Sequence, residues 1–256
     1  MSNPRLLLLS NSTMSGQPYL QWPRNLINDF LKSFHVNKVV FIPFAAVRID
    51  WDEYAAKVQN SLSNFEIASI HKFTDYKDAI NEAEAIMIGG GNTFHLLYKL
   101  YEFNLIECIR NRLLGSNPIP YIGWSAGSNV AGPNIGTTND MPIIWPPSDQ
   151  SLNVIPYNIN PHFNEWNPPN FQGETRIDRL NEFVEVRKSP IVAFSEGVAI
   201  RIQDGHHKTI APQLENDCFV DKIDNRCIKL WTWKDNQANI ENIEIGSDLK
   251  NFIENQ

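Results

Sequence analysis

Residues 121–128 read Tyr-Ile-Gly-Trp-Ser-Ala-Gly-Ser, a short hydrophobic strand that runs into G-x-S-x-G and then into small residues suited to starting a helix. A residue at a sharp strand-to-helix turn sits in strained backbone, and flanking glycines remove side chains that would collide there. The pattern predicts that the hydroxyl of Ser125 is held clear of a β-sheet. Because G-x-S-x-G also arises by chance, a turn without a catalytic role remains an alternative at this point.

On both sides of this turn, short runs rich in Val and Ile alternate with segments of helical periodicity, which is typical of a sheet with crossover helices. Strands are predicted at residues 5–9, 38–42, 66–70, 85–88, 120–124 and 191–194. Helices are predicted at residues 20–34, 51–62, 77–82, 93–100, 105–114 and 174–187. Beyond these, Asp204-Gly205 is a hairpin signal, so the C-terminal part is expected to be antiparallel. The sequence predicts an α/β fold with a mainly parallel sheet.

The chain is expected to form one domain over residues 1–256, with a polar, peripheral tail of one or two amphipathic turns from about residue 235. Its 42% hydrophobic and 20% charged residues are the balance of a folded soluble protein. Residues 133–172 interrupt the α/β pattern with dense prolines and asparagines. A loop of that length inside a domain is usually functional or disordered, and we favour a functional one because it carries Asp140 and His162.

The charge and cysteine content limit the possible partners and location. The net charge is −7, and no basic cluster exceeds Arg187-Lys188, which argues against a nucleic-acid partner. The electrostatic field of this negative net charge would oppose the capture of an acidic substrate, so a local arginine would be needed to override it. Three cysteines without C-x-x-C spacing disfavour a disulfide framework and a zinc site, and fit a reducing, cytoplasmic location. The four-residue apolar run at Leu6–Leu9 is too short for a signal peptide or a membrane span.

Two segments could donate hydrogen bonds to a developing oxyanion near Ser125. The amide of Ala126 would lie at the start of the helix that follows the turn. The loop Gly89-Gly90-Gly91-Asn92 has exposed amides and no obstructing side chains, so Gly90 and Gly91 are the candidates for a second donor. This loop could instead bind phosphate, although it lacks the G-x-G-x-x-G spacing and the lysine of a P-loop.

A serine nucleophile needs a base, usually histidine, and a carboxylate that orients the base. His162 lies in the Asn160-Pro161-His162-Phe163 turn, while His95 is a rival because its helix starts at the glycine loop. Glu196 follows the predicted strand 191–194, at a strand end where ligand sites of parallel sheets gather. Asp140 competes with it, or serves as a turn residue. Spacing alone does not decide among these residues.

Several blocks of sequence together resemble the peptidase E (alpha-aspartyl dipeptidase) family over roughly residues 5–205. The blocks are residues 8–13, 41–45, 89–94, 121–127, 137–142, 160–163 and 173–176. The resemblance implies a flavodoxin-like, class I glutamine amidotransferase-like fold and hydrolysis without a metal or other cofactor. It assigns the catalytic triad to Ser125, His162 and Glu196. Ser195 stands where the family has proline, which affects the geometry of the turn at Glu196.

The resemblance further implies a serine-type dipeptidase that cleaves Asp-Xaa dipeptides through an acyl-enzyme on Ser125. Arg176 would grip the aspartate side chain, although the pattern alone favours a surface helix residue paired with Glu174 or Asp178. Asp140 would meet the free amino group of the substrate. The alternatives are a cyanophycinase-like peptidase that acts on an aspartate-containing polymer and a binding module without turnover. The order Ser, His, Glu disfavours an α/β-hydrolase esterase, and a homodimer is compatible with the sequence.

Overall fold

The computed structural model describes residues 3–219 and 222–253, which form eleven strands and eight α-helices in a mixed α/β arrangement. The strands are β1 (Arg5–Leu9), β2 (Lys38–Ile42), β3 (Glu66–Ser69), β4 (Ile86–Ile88), β5 (Pro120–Trp124), β6 (Asn158–Asn160), β7 (Ile191–Phe194), β8 (Ala199–Gln203), β9 (His206–Ile210), β10 (Ile228–Lys234) and β11 (Gln237–Asn242). The helices are α1 (Arg24–Lys32), α2 (Trp51–Ser61), α3 (Tyr76–Asn81), α4 (Thr93–Glu102), α5 (Ile106–Leu114), α6 (Ala126–Asn129), α7 (Arg176–Arg187) and α8 (Lys250–Ile253).

The central sheet has seven strands in the order β3-β2-β4-β5-β1-β8-β9. The first five of these are parallel to one another, and β8 and β9 continue the sheet in antiparallel pairing. Strand β1 therefore lies between the parallel strand β5 and the antiparallel strand β8. The predicted α/β fold with a mostly parallel sheet is thus confirmed. The Asp204-Gly205 hairpin joins β8 to β9, as predicted.

Burial on both faces explains why the parallel strands are apolar throughout. In β1, Leu6 and Leu8 pack into the core on one side of the sheet, and Leu7 and Leu9 pack into the core on the other side. Helices cover both faces, so a strand in this position cannot alternate between apolar and polar residues. The uninterrupted Leu6–Leu9 run is therefore a central strand. No helix among the described residues has the length and apolar character that a membrane crossing requires.

A second sheet of four strands, β11-β10-β7-β6, lies outside the central sheet. Strand β7 pairs in parallel with β6 and antiparallel with β10. From the sequence, residues 191–194 were expected to be a strand of the main parallel sheet. In the structure, strand β7 belongs to the second sheet. Its partner β6 comes from the long segment 133–172, in which no strand was predicted. A hydrophobic pattern shows that a strand is buried and does not specify its neighbours.

The largest differences from the predicted elements occur at helix α1 and in the C-terminal tail. Helix α1 starts at Arg24 rather than at residue 20, because Leu20 has a φ of 54° and Pro23 stands at the N-cap. Strand β11 and helix α8 occupy part of the predicted tail, whose residues 254–256 lie outside the described range. Ile243 and Leu249 are buried in the main core. These side chains anchor the tail, although its other residues are polar.

Candidate active site

Ser125 occupies a strained turn between strand β5 and helix α6. Its backbone has φ 53° and ψ −111°, an unusual conformation for a residue with a side chain. The Ser125 amide donates a hydrogen bond to the Leu9 carbonyl at 3.1 Å, which fixes the turn to β1. A Cβ built on Gly127 would lie 2.1 Å from the Ile88 carbonyl oxygen, so only glycine fits there. The turn has the geometry that the G-x-S-x-G pattern predicted.

Ser125, His162 and Glu196 form one hydrogen-bonded chain. The Ser125 hydroxyl lies 2.8 Å from His162 Nε2, and His162 Nδ1 lies 2.7 Å from Glu196 Oε1. An ionised carboxylate can only accept hydrogen bonds, so with Glu196 ionised the proton of a neutral His162 resides on Nδ1. Nε2 is then free to accept the proton of Ser125. This is the arrangement by which a histidine activates a serine nucleophile.

The backbone around His162 is held by Ser10, which follows β1, and by residues of strands β7 and β10. His162 has a φ of 55°, and its amide donates to Ser10 Oγ at 2.8 Å. Ser10 Oγ donates in turn to the Phe194 carbonyl at 3.0 Å, which connects the turn to the end of β7. Phe163 is buried against Trp231, with ring centroids 5.5 Å apart. Packing and hydrogen bonds together fix the turn that carries the imidazole.

Ser10 and Asn11 were not among the predicted site residues, yet both support the triad. The amide of Gly197, next to Glu196, donates to Asn11 Oδ1 at 2.9 Å. Both polar residues are buried and follow directly after β1. A pair of polar residues at the carboxyl end of a buried parallel strand is the sequence signal that could have identified them.

A pocket of about 710 Å³ opens on Ser125 at the carboxyl ends of the parallel strands. Its walls come from the segments that follow β1, β2, β4 and β5, together with His162 and Glu196. Gly90 and Gly91 line this pocket, and Gly91 has a φ of +143° that residues with side chains rarely adopt. A Cβ built on Gly90 would lie 3.1 Å from Ser125 Cβ. The structure thus brings the predicted glycine loop against the nucleophile. Ala126 directly follows Ser125 and is the first residue of α6.

A second pocket of about 700 Å³ lies beside the first, and His162 and Glu196 line both. Arg176 lines the second pocket, whereas Ser125 lines the first. The Arg176 guanidinium donates to the His162 carbonyl, and burial is the main cause that lowers its pKa. The predicted alternative partner Asp178 instead forms a capping box with Thr175.

Two cations that the sequence reasoning did not identify, Arg48 and Lys57, line the same pocket as Ser125. Arg48 is exposed on the segment between β2 and α2. The ammonium group of Lys57 lies 4.3 Å from the centroid of the Tyr19 ring, a cation–π distance. The pocket therefore carries positive charge in a protein that is acidic as a whole.

Asp140 lies at the start of helix α4, outside the residues that line either pocket. Its Oδ2 accepts hydrogen bonds from the Thr93 amide at 2.7 Å, from Thr93 Oγ1 at 2.6 Å and from Thr138 Oγ1 at 3.1 Å. These bonds tie the 133–172 segment to the helix that follows the glycine loop. The structure does not bring Asp140 to Ser125.

Replacement of Asp140 by alanine is expected to lower the free energy of unfolding by about 1–3 kcal/mol, because an acceptor at a helix N-terminus and its charge-assisted hydrogen bonds are lost. Urea denaturation measures this change. Asp29→Ala, which removes an exposed acidic residue from α1, is the control and is expected to leave the unfolding free energy within 0.5 kcal/mol, roughly the usual range for surface substitutions. Unchanged stability with lost turnover in Asp140→Ala would instead support direct contact with substrate.

The rival base His95 points elsewhere, since its Nδ1 lies 2.7 Å from the Phe44 carbonyl oxygen.

Among residues 3–219 and 222–253, no cluster of three or more His, Cys, Asp or Glu side chains has metal-site geometry. The hydrogen-bonded groups at this site are the Ser125 hydroxyl, the His162 imidazole and the Glu196 carboxylate. Their arrangement on a mostly parallel α/β sheet defines a hydrolase with a serine nucleophile.

Comparisons with known proteins agree with this class. The model of peptidase family S51 matches residues 6–210 of the chain. Peptidase E of Nostoc sp. strain PCC 7120 is 47% identical over 209 residues, which cover 80% of this chain and 85% of the relative. Peptidase E of Haemophilus influenzae is 45% identical over 203 residues, or 78% and 92% of the two chains. The crystal structure of a peptidase from an acI-B1 Actinobacterium has the same fold, with a TM-score of 0.65 over 96% of each chain at 14% identity.

The chain belongs to peptidase family S51 and is a serine-type peptidase. The resemblance that the sequence blocks indicated is thus confirmed at the level of the family.

Proposed function

We propose that this peptidase hydrolyses dipeptides with an N-terminal aspartate through an acyl-enzyme on Ser125. The observation that carries the proposal is the hydrogen-bonded chain from Ser125 through His162 to Glu196, whose three residues line one pocket. The substrate class is supported by the relatives, which are named peptidase E, and by the sequence blocks shared with alpha-aspartyl dipeptidases. Cations on both pockets supply local positive charge for an acidic substrate.

In the proposed reaction, His162 Nε2 takes the proton of Ser125 as Oγ attacks the scissile carbonyl carbon. Glu196 holds the imidazole and stabilises its charged form. The amides of Ala126 and of Gly90 or Gly91 hold the developing oxyanion, and one such donor typically contributes about 3 kcal/mol to lowering the barrier. His162 then protonates the leaving amino group. Water, activated by the same histidine, hydrolyses the aspartyl ester and restores Ser125.

The decisive experiment offers Asp-Leu, Leu-Asp and Ala-Leu to the purified protein, with and without EDTA. Selective cleavage of Asp-Leu that EDTA leaves unchanged would support the proposal. Trapping with hydroxylamine, which converts an aspartyl ester into a hydroxamate, tests for the acyl-enzyme. Cleavage of an aspartate-containing polymer or of beta-Asp-Arg in place of Asp-Leu would establish a cyanophycinase-like activity, and aspartate binding without any turnover would indicate a binding module.

Replacement of Arg176 by methionine is expected to lower kcat/KM for Asp-Leu by about 100-fold, because the substrate carboxylate loses a guanidinium partner. Asn-Leu, which has no side-chain charge, should be affected far less. The ratio of kcat/KM for Asp-Leu to that for Asn-Leu is the measurement. Arg179→Met is the matched control, since Arg179 is an exposed arginine on the same helix.

The geometry of Arg176 offers a second reading that the same substrates separate. Because its guanidinium donates to the His162 carbonyl, the substitution could act on the catalytic turn alone. Both substrates would then lose activity in equal proportion. That result would remove Arg176 as the aspartate ligand and direct attention to Arg48 and Lys57, which line the pocket of Ser125.

A further inference from the structure

Tyr54 of helix α2 places its hydroxyl group between the glycine loop and Trp124, the residue before Ser125. The side chain is 6% exposed, and its ring packs edge-on against Phe41 at 5.1 Å between centroids. Its hydroxyl donates to the Gly90 carbonyl at 3.0 Å and accepts from the indole of Trp124 at 3.1 Å. One side of this contact is thus the glycine loop and the other is the residue that precedes Ser125.

The directions of these hydrogen bonds are set by chemistry. An indole nitrogen can only donate and a backbone carbonyl can only accept, so the single proton of Tyr54 points at Gly90. The Tyr19 hydroxyl donates to the remaining lone pair of Tyr54 at 3.3 Å. Burial raises the pKa of Tyr54, which keeps the phenol protonated at neutral pH. The hydroxyl therefore has all its hydrogen-bonding capacity occupied in one orientation.

A bond to the Gly90 carbonyl also fixes the next amide. The Gly90 carbonyl and the Gly91 N–H belong to the same planar peptide unit, and in a trans peptide they point in opposite directions. The structure contains no cis peptide bond among the described residues. Whatever holds the oxygen of Gly90 thus determines where the N–H of Gly91 points. Gly91 itself lines the pocket of Ser125.

We propose that Tyr54 is a positioning residue for catalysis, and that its hydroxyl orients the Gly91 amide as an oxyanion donor relative to Ser125. The inference rests on the proposed acyl-transfer function. Since an oxyanion donor acts mainly in the transition state, loosening it should lower kcat and leave substrate binding nearly unchanged. The bond to Trp124 gives the glycine loop and the nucleophile turn a common anchor.

The test is Tyr54→Phe, which removes the hydroxyl and keeps the ring. We expect kcat for Asp-Leu to fall at least tenfold, roughly part of the effect of deleting a whole oxyanion donor, with KM changed less than about twofold. Tyr157→Phe is the matched control, because Tyr157 is also buried and its hydroxyl bonds to His207, outside the site. We expect this control to retain kcat within about twofold of the parent.

A small dialkyl fluorophosphonate separates this inference from the substrate assignment. It phosphonylates an activated serine, whose oxygen displaces fluoride from phosphorus, and places its P=O oxygen in an oxyanion site, whatever the peptide specificity. If the parent protein reacts with the probe and does not cleave Asp-Leu, the substrate assignment fails while the Tyr54 comparison remains available. An inactivation rate of Tyr54→Phe lowered at least tenfold supports the inference. Equal inactivation rates for Tyr54→Phe and the parent would overturn it. So would values of kcat and KM for Tyr54→Phe that match those of the control Tyr157→Phe.

A second variant covers the case in which Tyr54→Phe does not fold. 3-Fluorotyrosine at position 54 keeps the ring and the hydroxyl and adds a fluorine nucleus that reports on the environment of the hydroxyl. We expect its ¹⁹F resonance to shift when Ser125 is phosphonylated, because the oxyanion site is then occupied, and kcat to stay near the parent value. An unshifted resonance in fully phosphonylated protein would contradict the proposed coupling.

Discussion

Replacement of Ser125 by alanine is expected to lower kcat for Asp-Leu by about 10⁴-fold or more, because the acyl-enzyme can no longer form. Steady-state hydrolysis with a sensitive amine assay measures the loss. Ser63→Ala, at an exposed serine, is the matched control and should behave as the parent. The fold should persist, since the strained φ of 53° belongs to the turn and alanine can occupy the same backbone.

The double variant Ser125→Ala/His162→Ala sharpens this prediction. Residues that act as one unit are not additive, so the second substitution should cause little further loss once the nucleophile is absent. Comparable turnover in Ser125→Ala and the parent would mean that another group attacks the substrate. Such a result would remove the acyl-enzyme from the mechanism, and the hydroxamate trap would then capture no aspartyl product.

Replacement of Glu196 by glutamine is expected to lower kcat by about 10²-fold to 10⁴-fold. Its amide cannot stabilise the charged imidazole, and its NH₂ group can favour the wrong tautomer of His162. We expect a loss at the lower end of this range, because the Glu196 side chain is 50% exposed and solvent already screens its charge. The kcat of Glu196→Gln is compared with that of Glu174→Gln, an exposed glutamate upstream of α7.

The result for Glu196→Gln also reports how the imidazole is held. The hydrogen bonds of Ser10 and Arg176 act on the backbone of His162, not on its ring. If kcat stayed within a few-fold of the parent, the backbone turn alone would orient the ring and Glu196 would have no major part in catalysis. A large loss with unchanged KM would assign the orientation of the imidazole to the carboxylate.

Much of the fold followed from local pattern. The parallel strands 5–9, 38–42 and 120–124 were predicted with the bounds that the structure has, because strands buried on both faces are continuous apolar runs. Strand β6 was missed, since Asn158-Ile159-Asn160 has only three residues and two of them are polar. The side chains of both asparagines donate buried hydrogen bonds to backbone carbonyls of residues 134 and 137. These hydrogen bonds join residues more than 20 positions apart, so they exist only in the folded chain.

The edge strand β11 was missed for a related reason. Its residues are mostly exposed, so it has no apolar stripe to reveal it, and its pairing with β10 supplies the stabilising contacts. The tail was accordingly expected to be peripheral. Backbone pairing of this kind depends on a partner strand that local sequence does not identify.

The candidate site shows the same division between local and tertiary information. The turn at Ser125 was predictable because glycine spacing reports a local backbone requirement. The choice of His162 over His95 needed the family resemblance, since the hydrogen bonds of His162 join residues 34 to 152 positions apart along the chain. Tyr54 gave no signal because a single buried tyrosine on a helix is ordinary core composition.

The sequence by itself determined the α/β class, the nucleophile turn and the family, because these depend on periodicity, on glycine spacing and on blocks of residues that lie close together in the chain. Only the tertiary structure decided that β7 belongs to a second sheet, that Asp140 holds helix α4, and that Arg176 bonds the turn of His162. The physical reason is that side-chain hydrogen bonds act over about 3 Å in space, whatever the separation of their partners along the chain.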